Sequence, residues 1–75
     1  LALAVGMKVV ISPKSNFFRK HQQLPENVVG EVIGYNKAHV YRWDVQWVGN
    51  WNSYEEEDLI IVHEGGFTED LSEWL

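Results

Sequence analysis

The segment Tyr41-Arg-Trp-Asp-Val-Gln-Trp47 alternates strictly between apolar and polar side chains. A period of two puts Tyr41, Trp43, Val45 and Trp47 on one face of an extended strand and Arg42, Asp44 and Gln46 on the other. One face therefore meets a core and the other meets water. The pattern predicts a strand over His39 to Val48. Gly49-Asn50 follows, a pair that supplies the positive φ of a two-residue hairpin turn and sets Val48 opposite Trp51. In that register Val45 and Tyr54 share the core face, while Gln46, Val48, Trp51 and Ser53 share the outer one, so the Trp51 ring is expected in solvent.

Three more strands read in the same way. Val5 to Ser12 carries Met7, Val9 and Ile11 in phase, and Pro13 ends its regular pairing. Val28 to Tyr35 has β character with Gly30 and Gly34 inside it, which marks bends or a close backbone approach. Leu59 to Val62 is a short apolar run ending near Gly65-Gly66. The proline-bounded stretch from Pro13 to Pro25 is polar and longer than a tight turn needs, so it reads as an excursion loop. Glu55 to Asp58 reads as a charged connector. The expected core is Val9, Ile11, Val32, Trp43, Val45, Leu59 and Ile61. Beyond the glycines, Thr68 as N-cap and the near-helical spacing of Phe67, Leu71, Trp74 and Leu75 predict a short helix packed on the domain within an extension over residues 63–75. Residues 1–4, ahead of Met7, are expected to be a remnant of processing, leaving one domain over residues 5–62.

With 75 residues, a single small core is all the chain can build. It has no cysteine, which excludes disulfides, thiolate nucleophiles and Cys-based zinc sites and suits an intracellular, cytoplasmic setting. The opening Leu1-Ala-Leu-Ala-Val5 is too short to span a bilayer, so no membrane insertion is expected. The net charge of -5 is unevenly spread. Lys8, Lys14, Arg19, Lys20, Lys37 and Arg42 face only Glu26 and Glu31 in the first half. From residue 43 onward there is no cation at all. His21, His39 and His63 lack metal-ligand spacing, Glu55 to Asp58 lacks the pattern of a calcium loop, and no nucleophile or phosphate-loop motif is present. No catalysis, metal or cofactor is expected.

Gly6-x-x-Val9-Val10, Pro13, an aromatic in the next loop, Gly30-Glu-Val32, Trp43-Asp-Val-Gln-Trp47, Asn52-Ser-Tyr54 and Asp58-Leu59 together resemble the MIB/HERC domain and, more loosely, Tudor and KOW-type barrels. The likeness covers residues 5–62, with a shorter connector before the last strand than in that family. A looser likeness is to PsaE, the peripheral subunit of photosystem I, and similar barrels recur in phage proteins. The resemblance implies a five-stranded SH3-like barrel and a non-enzymatic interaction module, and with the helix read from the last residues the expected fold is all-β, a five-stranded SH3-like barrel with a short C-terminal helix.

Ten aromatic residues exceed what five short strands can hide, so some must be displayed. The candidate ligand-binding residues are Phe18, Tyr35, Tyr41, Asp44, Trp51, Glu55, Glu56 and Glu57, where exposed rings beside carboxylates suit a lysine, arginine or methylated cation. The expected partner is a protein or peptide, with a basic peptide favoured. A second reading makes the chain a docking subunit whose basic loop, Lys14, Arg19 and Lys20, meets an acidic partner. A third is nucleic-acid binding, supported by Phe17-Phe18 beside Arg19-Lys20 but opposed by the overall negative charge.

Overall fold

The computed structural model describes residues 3–18, 28–63 and 66–67. Among these residues six strands pair antiparallel in one open sheet: β1 (Lys8–Ile11), β2 (Gly30–Tyr35), β3 (Trp43–Trp47), β4 (Asn50–Tyr54), β5 (Leu59–His63) and the two-residue β6 (Gly66–Phe67). Their order across the sheet is β4-β3-β2-β1-β5-β6. Among the described residues the only helical element is a 3₁₀ turn, Glu56–Asp58. The helix expected at residues 68–75 lies outside the described residues. Phe67, expected to open that segment, instead belongs to β6 opposite Val62.

The strands are shorter than the alternation alone suggests. Tyr41 keeps the phase of Trp43 and Val45 but lies before β3, in a connection closed by the Asn36 amide donating to the Arg42 carbonyl at 2.8 Å. The hairpin turn also lies one residue earlier than expected, which shifts the cross-strand register by two. Trp47 faces Asn50, Gln46 faces Trp51 and Val45 faces Asn52, and the turn is Val48-Gly49, with Gly49 at φ +86°. Because the offset is even, every side chain keeps its expected face. Trp51 is accordingly 58% exposed, while Tyr54 is fully buried.

Alternation around β3 produces the main core. Val9, Ile11, Val32, Val45, Trp47, Tyr54 and Leu59 are buried in one cluster, joined by Leu3 at 6% exposure. Leu3 thus packs as a core residue although it precedes the expected domain. Trp43 and Ile61, expected in the core, are only partly buried and lie against it; Trp47 and Tyr54 take the central places. Gly30 lets the sheet close on Trp47, since a Cβ there would stand 2.6 Å from ring carbons of that indole. The Trp47 Nε1–H then donates to the Tyr54 hydroxyl at 2.8 Å, satisfying a buried donor. On the other side of β1 and β5, Val10 and Ile60 form a second small cluster, and Phe18 packs against both.

Candidate functional site

Tyr35 and Trp43 meet because β2 carries one extra residue. Val32 faces Val45, but Gly34 faces Asp44 and Tyr35 faces Trp43, so Ile33 is the unpaired residue of a bulge. In unbroken alternation Tyr35 would point to the opposite face from Val32 and Trp43. The bulge turns it back, and bulges commonly re-aim a side chain in this way. The Tyr35 and Trp43 ring centroids are 4.4 Å apart with their planes tilted by 49°. Tyr35 remains 49% exposed.

The row of core side chains on β3 ends at Trp43, and beyond it the sheet opens into a pocket of about 200 Å³. Tyr35, Val40, Arg42, Trp43 and the three glutamates Glu55, Glu56 and Glu57 line it. The glutamates arrive directly from Tyr54, the cross-strand partner of Trp43. Their turn is fastened from both sides. Asp58 accepts the Glu55 amide at 3.1 Å and the Ser15 hydroxyl at 2.8 Å, and its own carbonyl accepts the Ser12 amide at 2.8 Å. Ser15 Oγ in turn accepts the Phe17 amide at 3.0 Å. The loop after β1 therefore holds the acidic turn in place.

Charge in the pocket is predominantly negative. Arg42 stands in it but forms no ion pair with Glu55, Glu56 or Glu57; among the described residues the ion pair is Lys8–Glu31, at 2.7 Å. Two aromatic faces beside three carboxylates offer quadrupole and charge attraction to the same ligand class, a cation. Among the described residues no three His, Asp or Glu side chains gather as a metal site.

The structure divides the expected site residues. Tyr35, Glu55, Glu56 and Glu57 come together. Asp44 and Trp51 lie on the opposite sheet face, where Asp44 accepts the Ser53 hydroxyl at 2.6 Å. Tyr41 makes an edge contact with Phe17 at 5.6 Å, and Phe17 makes another with Tyr54. Phe18 is occupied in packing. Lys14 is exposed, whereas Arg19 and Lys20 lie outside the described residues. Sequence reasoning missed Trp43, Val40 and Arg42 as pocket residues. No sequence signal singled out Trp43: in the alternating row Tyr41 is outermost, and Trp43 becomes the end of the row only because β3 begins there.

Buried Tyr54 holds its phenolic proton more tightly than a free tyrosine does. Burial, and secondarily the nearby Asp58 charge, push its pKa up from 10.0 to about 12, against the opposing effect of the Trp47 hydrogen bond. No described helix is long and apolar enough to cross a membrane. Comparison with protein-family models, with curated proteins and with solved structures gives no match.

Proposed function

We propose that the chain is a non-enzymatic protein- or peptide-binding module that takes a basic side chain between the Tyr35–Trp43 ring pair and the Glu55–Glu57 turn. The observation that carries this reading is the convergence of the two rings and three carboxylates on one open pocket. A lysine or arginine over an aromatic face gains roughly 0.5 to 2 kcal/mol, depending on how far it is desolvated. The carboxylates raise the local concentration of cations and orient their approach. The finer reading of the fold is the SH3-like barrel. It is supported by the order β4-β3-β2-β1-β5, by the long connection after β1 and by the short acidic connector before β5.

The test is a polarisation titration with a fluorescein-labelled Gly-Lys-Gly-Lys-Gly-Lys-Gly peptide. Wild type should bind it in a salt-sensitive manner. Tyr35→Ala, and separately the triple change Glu55→Gln, Glu56→Gln and Glu57→Gln, should each weaken binding while melting close to wild type. Equal affinity in all three proteins would refute the assignment.

A further inference from the structure

The outermost strand of the sheet leads straight into the pocket. We propose that β4 accepts an added strand, an extended basic peptide that pairs with its free edge and delivers cationic side chains to the Glu55–Glu57 turn. This rests on the reading of the pocket given above and extends it to a mode of recognition.

The first support is the edge itself. β4 has β3 on one side and no strand on the other among the described residues, and its five-residue register with β3 contains no bulge. Sheet edges are usually blunted by lysine, proline, bulges or shortness. β4 reads Asn-Trp-Asn-Ser-Tyr, with none of the first three, while the opposite edge of the sheet is the two-residue β6. The two-residue turn makes Trp47 and Asn50 the hydrogen-bonded closing pair, so alternation turns the amides of Trp51 and Ser53 away from β3. Those amides and their carbonyls are the available partners for a new strand.

The second support is charge. β4 carries no formal charge, but its chain continues into Glu55, Glu56 and Glu57, and Asp44 lies on the neighbouring strand. A basic strand is complementary to that surround, whereas a second copy of this chain brings another net charge of -5. Side chains of an added strand alternate between the two faces. One set lies beside exposed Trp51; the other lies on the face of Asn52 and Tyr54, toward the pocket.

A labelled peptide of sequence Lys-Val-Lys-Val-Lys-Val-Lys serves as the probe, together with two forms N-methylated at every valine or at every internal lysine. Strand addition requires that one set abolish binding, by at least about ten-fold, and that the other leave it within a few-fold. The sensitive set is valine for antiparallel pairing and lysine for parallel pairing. Amide exchange at Trp51 and Ser53 should slow when the peptide binds. If both N-methylated forms bind like the parent while the triple glutamine variant loses affinity, the added strand is refuted and the pocket stands. If the triple variant binds like wild type, the pocket reading fails as well. A β4-to-β4 dimer in sedimentation that the peptide leaves intact would assign the edge to a second copy and overturn the proposal.

Discussion

Replacing Gly30 with alanine tests the packing that holds the sheet together. The new Cβ would lie 2.6 Å from Cε3 and Cζ3 of Trp47 and 2.6 Å from Cγ1 of Val45. Ordinary carbon–carbon contact is about 3.5 to 4.0 Å, so the indole must move by roughly 1 Å. That shift costs about 1 to 3 kcal/mol as overpacking. It also stretches the 2.8 Å bond from Trp47 to Tyr54, and a buried donor left unpaired adds about 1 to 3 kcal/mol. The sum is roughly 2 to 6 kcal/mol, which in a domain of this size lowers Tm by at least about 8 °C. Gly34→Ala is the internal control. Its Cβ would come nearest to the Asp44 side chain, with Oδ2 at 3.2 Å, and the reduced freedom of the unfolded chain offsets part of that contact. Thermal melts followed by circular dichroism should therefore show a large loss for Gly30→Ala and a small change for Gly34→Ala. Equal losses, or a Gly30→Ala melt within about 2 °C of wild type, would show that Trp47 does not pack tightly over Gly30.

Trp51→Ala should leave Tm nearly unchanged, because the ring is largely in solvent; unfolding of this variant would place Trp51 in the core. Tyr54 holds its proton more tightly folded than unfolded, so its contribution is intact below about pH 10 and is lost as pH rises toward about 12. Wild type should lose stability more steeply than Tyr54→Phe across that window, and parallel decline in denaturant melts would contradict the burial of the hydroxyl. Arg42→Ala removes the only cation among the described residues that line the pocket, so it should tighten binding of the Gly-Lys-Gly-Lys-Gly-Lys-Gly peptide; weaker binding would show that Arg42 contributes to the ligand site instead of competing for it.

Much of the sheet is legible in the sequence because a period of two leaves little freedom. Val45 and Trp47 are buried, Gln46 is exposed, and Trp51 is in solvent, as the alternation requires. The exact turn is less legible, since Gly49 serves equally as the first or the second residue of a two-residue loop; an even offset conceals the difference from any argument based on faces. The Ile33 bulge is harder still. It inserts one residue into an otherwise ordinary strand, yet it decides that Tyr35 joins Trp43 and not Asp44. Composition pointed to rings beside carboxylates, but Trp51 with Asp44 and Tyr35 with Glu55 satisfy that description equally well until the bulge separates them onto two faces. β6 escapes because glycines 65 and 66 read as a stop, whereas Gly66 still pairs with His63.

In the proposed binding mode, cations enter at Tyr35 and Trp43. The direct measurement is a ¹H–¹⁵N NMR titration with the unlabelled Gly-Lys-Gly-Lys-Gly-Lys-Gly peptide, following the Trp43 and Trp51 indole signals and the amides of Tyr35 and Glu55 to Glu57. Saturable shifts of the Trp43 indole and of the Tyr35 and glutamate amides are expected, whether or not the neighbouring β4 signals, Trp51 among them, also move. Shifts centred on the Trp51 indole and Ile33, with Tyr35 and Trp43 silent, would place the ligand on the other face of the sheet and contradict it.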